Sequence, residues 1–311
     1  MVETRRPFSK GSGSRETKNH ESCQQNHYLQ SNPQLKRPIL NTKSNKMEQF
    51  IKLSAADKAA FELNGYAIVK SLYTKNEINL LMQAAENDEV IQRNTYGRKD
   101  KDGNSTKLAL WYTLGDNIYS MFARSRRMSD GVSLLLNGEP AHFHTKLMQK
   151  EPFVGGAWEW HQDYGYWYND GFLFPCMISV MVALTEATRE NGCLQVLKGS
   201  HLMGRVEHGT TGGQKGADME KVNIALERLE LVYVELEPGD TLFFHCNLLH
   251  RSDKNTSAGP RWSLISTFNL AKNKPYKEQH PSCYTPFEPM PDESILEAKM
   301  VLHTGDAGFK Q

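Results

Sequence analysis

The apolar and polar positions follow two different rhythms along the chain. Between residues 54 and 87 they follow helical spacing around one short β-type run. Ser54-Ala-Ala-Asp57 and Thr74-Lys-Asn-Glu77 each put a hydroxyl three residues ahead of a carboxylate, the capping-box spacing that opens a helix. Gly65 and Tyr66-Ala-Ile-Val69 lie between them. The pattern therefore predicts helix, strand, helix, with Leu80, Leu81 and Ala84 facing inward on the second helix. Residues 88–108 read as polar and turn-rich, and a third helix is expected over about 116–127.

From residue 141 short apolar or alternating runs recur, at 141–149, 157–163, 176–184, 193–197, 231–237, 241–245 and 261–268. Turn residues separate them at Gly155-Gly156, Asn169-Asp-Gly171, Asn191-Gly192, Lys198-Gly-Ser200 and Pro238-Gly239-Asp240. Asn191-Gly192 between two β-like runs reads as a hairpin turn. Many strands at this spacing, with helices gathered at the N-terminal side, predict a mainly β fold: a double-sheet jelly roll buttressed by helices.

Charge alters the domain picture. The formal net charge of +1 supplies no drive toward nucleic acid or anionic lipid. It is nevertheless an average of unlike parts. Residues 1–47 hold nine Lys/Arg against three Glu, so this stretch carries about +6 and the remainder about −5. Its apolar residues have no period, and it is expected to be a disordered basic extension ahead of one large domain over 48–311, with 280–311 extended or loop-rich. The three Glu and the lack of an amphipathic face argue against a mitochondrial presequence. No apolar run is long enough to span a membrane. The C-terminal Gly308-Phe309-Lys310-Gln311 is not a peroxisomal SKL-type signal. Five cysteines with no CxxC pair fit a reducing, cytoplasmic setting and exclude a cysteine-based zinc site.

The chemistry begins at Trp160-His161-Gln162-Asp163. If the triplet lies on a strand, His161 and Asp163 share a face and can present an imidazole and a carboxylate to one ion. With 11 histidines in the chain, about half an H-x-D match is expected by chance, so the triplet alone is weak. A second histidine must come from elsewhere. His250 is the best candidate, and His245 competes for the role. Two imidazoles and one carboxylate make the facial triad of non-haem Fe(II) oxygenases. Arg261 lies eleven residues past His250 in an apolar strand, where a buried guanidinium would need an anionic partner, and Ser252 could add a hydroxyl to it.

These motifs in this order resemble the phytanoyl-CoA dioxygenase family. Phe61-Glu-Leu-Asn-Gly65-Tyr66-Ala-Ile-Val69 is similar to that family's opening helix–strand unit, Glu190-Asn191-Gly192-Cys193-Leu194 through Lys198-Gly199-Ser200-His201 to its "ENG-C-L" segment, and Gly239-Asp240 through His245 to the strand before its second histidine. The similarity covers roughly residues 55–270. It implies a double-stranded β-helix, the cupin-like jelly roll, that takes Fe(II), 2-oxoglutarate and O₂ and releases succinate and CO₂, with ascorbate supporting activity. By resemblance His161, Asp163 and His250 are the metal ligands, and Arg261 and Ser252 hold the distal carboxylate of the co-substrate. Lys146 and Ser179 fall at co-substrate positions of the ectoine-hydroxylating members and Trp167 at a substrate-side position, while Phe244 is expected to face the same pocket. The presence of Asp163 argues for hydroxylation or a kindred oxidation, since related halogenases lack that carboxylate, and the expected substrate is a small molecule. The rival reading is a jelly-roll protein that binds a metal or ligand without turnover; loss of Asp163 or Arg261 would mark it, and both are present. The segment 204–228 reads as an insertion whose glycine-rich Gly209–Gly216 stretch forms a mobile loop and candidate lid.

Overall fold

The computed structural model describes residues 52–211, 214–297 and 299–310. The basic segment 1–47 expected to be disordered lies outside them. The first helix, α1 (Ala55–Asn64), opens with Ser54 and Asp57 capping each other and stops at Gly65, whose φ of 82° is the left-handed geometry a side chain resists. Strand β1 (Tyr66–Val69) follows, then α2 (Lys75–Asn87), opened by the Thr74–Glu77 capping box. Leu81 and Ala84 are buried as expected. Leu80 is only half-buried, because Ile78 and Ala85 complete the inner face instead.

The stretch read as turn-rich holds three elements: α3 (Glu89–Asn94), β2 (Tyr96–Lys99) and β3 (Ser105–Trp111). Strand β2 is an exposed edge with little apolar content, which is why its pattern was silent. In place of one helix over 116–127 there are two, α4 (Ile118–Arg124), capped by Asn117, and α5 (Arg126–Leu136). The chain turns between them at the fully buried Ser125, whose hydroxyl bonds to Phe122 O and Tyr73 Oη.

The strand-rich remainder follows the expected runs closely. In order come β4 (Pro140–Lys150), β5 (Trp158–His161), the short helix α6 (Asp163–Trp167), β6 (Met177–Ala183) and β7 (Leu194–Leu197). The insertion then supplies β8 (His208–Thr211), β9 (Gln214–Ala217) and α7 (Met219–Arg228). The chain returns through β10 (Leu231–Val234), β11 (Thr241–His245), β12 (His250–Ser252) and β13 (Arg261–Leu270), and ends with α8 (Ser294–Glu297) and irregular segments.

The strands form a seven-stranded sheet in the order β1-β11-β6-β13-β4-β3-β2 and a four-stranded sheet in the order β10-β7-β12-β5. Every pairing within them is antiparallel. From β4 to β13 the chain passes back and forth between the sheets, giving four strands in each. This is a double-stranded β-helix, with β1, β2 and β3 widening the larger sheet. One apolar cluster, including Leu147, Val180, Phe243, Leu264 and Phe268, packs the larger sheet on the helices. A second, including Met148, Met181, Val196, Phe244 and Ile265, fills the space between the sheets.

Asn191-Gly192 is a turn but not a hairpin. Strands β6 and β7 belong to different sheets, and the turn carries the chain from one to the other. The Asn191 side chain accepts from Thr188 N at 2.8 Å and donates to Glu186 O at 2.9 Å, closing the crossover. No helix among the described residues is long and apolar enough to cross a membrane.

Candidate metal centre

His161 ends β5 and His250 begins β12, and these neighbouring strands put the two residues directly opposite each other. Opposed residues of an antiparallel pair point to the same side, and the imidazole centroids are 4.0 Å apart. Asp163 reaches the same point by a different route from the one its spacing suggested. The strand stops at His161, and Asp163 is the first residue of α6. The reason is Gln162, whose fully buried side chain donates to Gly204 O and Asn247 O and accepts from Val206 N. Three bonds to two other segments pull the chain out of the sheet there, and the helical turn then aims Asp163 back at the histidines. Its Oδ1 lies 3.9 Å from His161 Nε2 and 4.0 Å from His250 Nε2.

The protonation states suit a cation. His161 Nδ1 faces Glu159 O at 2.8 Å and His250 Nδ1 faces Leu248 O at 2.9 Å. A carbonyl only accepts, so each Nδ1 carries the hydrogen and each Nε2 presents a lone pair to the site. Burial pushes the His161 pKa well below its ordinary value, with the neighbouring His250 adding to the shift, and burial lowers His250 as well. Burial alone would raise Asp163. The positive charge of Lys146, the two imidazoles and a hydrogen bond from Ser179 outweigh it and hold the carboxyl at about 2. Two neutral imidazoles and one carboxylate, all buried and with ligand atoms within 4.8 Å of one another, fit a divalent iron.

Among the other candidates, the structure separates His245 from this group. His245 accepts from Asn247 N and packs near Phe61 and His201. Ser179 donates to Asp163 Oδ2 at 2.6 Å, so its hydroxyl is committed to the carboxylate. Lys146 projects between the sheets opposite Ile265, and its charge acts on Asp163 and both histidines. Arg261 is 4% exposed, with no ion pair among the described residues and its Nε unpartnered; burial lowers its pKa to about 10. Ser252 accepts from Lys150 Nζ at 2.9 Å. Phe244 stands edge-on to His250, with centroids 5.0 Å apart. Trp167 is built into a separate apolar cluster against Phe143 and Phe172, 4% exposed.

Several further residues surround the group. Tyr166 lies with its ring 5.7 Å from His161 and donates to Lys215 O in the inserted hairpin. His208 of that hairpin accepts from Gln162 N at 3.0 Å. Gln214 bonds to Glu159 N, Ala157 O and Lys99 O. The segment read as a mobile loop therefore includes paired strands docked along β5. Sequence reasoning missed Lys150, although period-2 alternation from Lys146 through Met148 would have turned it inward.

Residues 61–263 match the family model described as phytanoyl-CoA dioxygenase (PhyH). The chain belongs to the phytanoyl-CoA dioxygenase family. Within and around this family it is 26% identical over 248 residues to the ectoine dioxygenase of Sphingopyxis alaskensis, covering 74% of this chain and 81% of that protein. It is 29% identical over 176 residues to an L-proline trans-4-hydroxylase of Streptomyces griseoviridis, covering 51% and 66%. It is 27% identical over 235 residues to a probable phytanoyl-CoA dioxygenase of Caenorhabditis elegans, covering 68% and 74%. In fold it is similar to the crystal structure of EctD from S. alaskensis with bound Fe, with a TM-score of 0.63 and 24% identity over 79% of this chain and 88% of that one. It also resembles the non-heme alpha ketoglutarate dependent carbocyclase SnoK, with a TM-score of 0.57 and 20% identity over 78% and 95%.

Proposed function

We propose that this chain is an Fe(II)- and 2-oxoglutarate-dependent dioxygenase that hydroxylates a small molecule, with His161, Asp163 and His250 as its metal ligands. The observation that carries this reading is the buried group of two neutral imidazoles and one ionised carboxylate, on the same interior as the guanidinium of Arg261, which has no ion pair among the described residues. With the metal and co-substrate bound, O₂ is reduced as 2-oxoglutarate is converted to succinate and CO₂, and the substrate gains a hydroxyl.

The protein's own part is to hold, neutralise and shield. The carbonyls of Glu159 and Leu248 fix which imidazole nitrogens are free. Ser179 occupies Asp163 Oδ2 and leaves Oδ1 for the metal. Arg261 and Ser252 supply a cation and a hydroxyl for the distal carboxylate of the co-substrate. Phe244, Ile265 and Met181 line the space between the sheets with apolar surface that excludes water. At the mouth, the half-buried Trp158 lies 6.2 Å from His161 and carries Arg98 over its ring at 5.2 Å, with Tyr166 on the other side. The relatives include proteins named for ectoine and L-proline. This aromatic, hydroxyl-bearing mouth suits a compact polar substrate of that size. Trp167 packs edge-on against His144.

The test is succinate formation by purified protein supplied with Fe(II), ascorbate, O₂ and 2-oxoglutarate, against a panel of small amines and amino acids. Slow succinate release is expected even without substrate, and faster release with the right one. Arg261→Leu should abolish saturation by 2-oxoglutarate, and His161→Ala should abolish iron retention. Full iron content in His161→Ala, or unchanged 2-oxoglutarate dependence in Arg261→Leu, would overturn the assignment.

A further inference from the structure

Lys150 is a lysine with 0% exposure, the last residue of β4, directly opposite Arg261 on β13. Facing residues point to the same side, so two basic side chains enter the same interior at one register position. Burying a charge without a counter-charge costs several kcal/mol, yet among the described residues neither side chain has a carboxylate within 4.0 Å. The nearby carboxylates are committed elsewhere. Asp253 binds Arg251 and Gln195, and Asp100 accepts from Ala157 N, Asp102 N and Asn104 N. Lys150 itself donates to two neutral acceptors, Ser252 Oγ at 2.9 Å and the backbone O of Asp253. It is closed in from the far side by the 151–156 loop, where even a Cβ on Gly155 would stand 2.7 Å from its own Cβ. Burial and the charge of Arg261 both press Lys150 to give up its proton. An anion between the two would reverse that pressure.

We propose that Lys150 is a positioning residue for the distal carboxylate of 2-oxoglutarate, acting through Ser252 beside Arg261. This role presupposes that the chain is a 2-oxoglutarate enzyme. Because Ser252 Oγ accepts from Lys150, its own hydrogen is free to point into the interior, where Arg261 has no partner among the described residues. A hydroxyl that accepts from a cation is also a stronger donor. Lys150 thus orients and polarises Ser252 toward an incoming carboxylate, and its charge adds to the attraction of Arg261. The pair would select a keto acid with a second carboxylate over one without.

The experiment measures dissociation constants by calorimetry for 2-oxoglutarate and 2-oxobutyrate, which lacks the distal carboxylate, on anaerobic Mn(II)-loaded protein. Wild type is compared with Lys150→Met, Lys150→Gln, Lys150→Arg and Arg261→Met. Lys150→Met is expected to weaken 2-oxoglutarate about tenfold or more, with 2-oxobutyrate held within about twofold. Lys150→Arg should keep most of the preference, and Lys150→Gln should fall between. A merely structural role would weaken both ligands alike, so an unchanged affinity ratio in Lys150→Met overturns the proposal. If Lys150→Met does not fold, equal ratios in Lys150→Gln and Lys150→Arg overturn it. Wild type that binds neither keto acid, or Arg261→Met indistinguishable from wild type, overturns the 2-oxoglutarate reading itself. A normal Arg261→Met loss with an unaffected Lys150→Met removes only the role of Lys150.

Discussion

Replacing Ser179 by Ala removes one hydroxyl from a buried site while leaving the sheet that carries it intact. Ser179 Oγ donates to Asp163 Oδ2 at 2.6 Å, with both residues at most 4% exposed. A hydrogen bond to a charged group contributes about 1.5–3 kcal/mol. The variant does not act by protonating Asp163, because Lys146 and the two histidines still hold its carboxyl down. It acts on orientation. With Oδ2 held, Oδ1 faces both imidazole nitrogens at 3.9 and 4.0 Å; with Oδ2 free, the carboxylate rotates about its last torsion and must be ordered again when the metal binds. Converted at about 1.4 kcal/mol per decade, the loss corresponds to about 10- to 150-fold in metal affinity, close to the roughly 10- to 100-fold typical when such supporting partners of a ligand are removed. Anaerobic titration with Fe(II) or Mn(II), with competition by a chelator of known affinity, measures it directly. Thr267 Oγ1, 3.3 Å from Ser179, is the only other side-chain partner of that hydroxyl among the described residues, so the fold should lose little. An affinity within threefold of wild type in a folded Ser179→Ala protein would refute the claim that this bond orients the ligand.

Three further outcomes test the frame around the site. Arg127, 1% exposed, is paired with Glu77 and Asp292; Glu77→Ala also breaks the capping box of α2 and should destabilise the fold by about 3 kcal/mol, read as a fall of about 6–12 °C in Tm. Gly239→Ala should be strongly destabilising, because φ is +93° and the added Cβ would stand 2.2 Å from Tyr73 O; a Tm within 2 °C of wild type would contradict the turn geometry. Burial holds His142 at about 3, so the folded state resists protonation while the unfolded chain accepts a proton near 6.5. Stability is therefore lost as pH falls from about 6.5 toward 3, by about 2 kcal/mol at pH 5 for this residue. Denaturant unfolding at pH 7 and pH 5 should show that increment disappear in His142→Gln, and the same pH slope in both proteins would refute it.

How much could be read without the structure depended on the range of the interaction. Capping boxes, the strand runs from 141 onward and the turn glycines are local. A hydroxyl three residues before a carboxylate, or side chains alternating at period 2, means the same thing in any context. The candidate site residues stand out in the sequence largely because their order along the chain resembles a family pattern, which stands in for knowledge of their meeting point. Nothing local distinguishes His250 from His245. They part only because β11 ends at His245, the next four residues turn, and His250 enters the other sheet. Asn191-Gly192 looked like a hairpin because the turn chemistry is local while the choice of partner sheet is not.

The sequence by itself therefore determined the two capped helices, most of the strand runs from 141 onward, the residue types able to hold iron, and the class of chemistry. Tertiary structure decided the rest. It placed Asp163 on a helix rather than a strand, because Gln162 is tied to Gly204, Val206 and Asn247, residues 42 to 85 positions away. It took Trp167 into a packing cluster and put Tyr166 and the inserted hairpin beside His161. Above all it set Lys150 opposite Arg261, two basic side chains 111 positions apart in the chain. A sheet register brings such residues together, and no period along the chain can encode which strands will be neighbours.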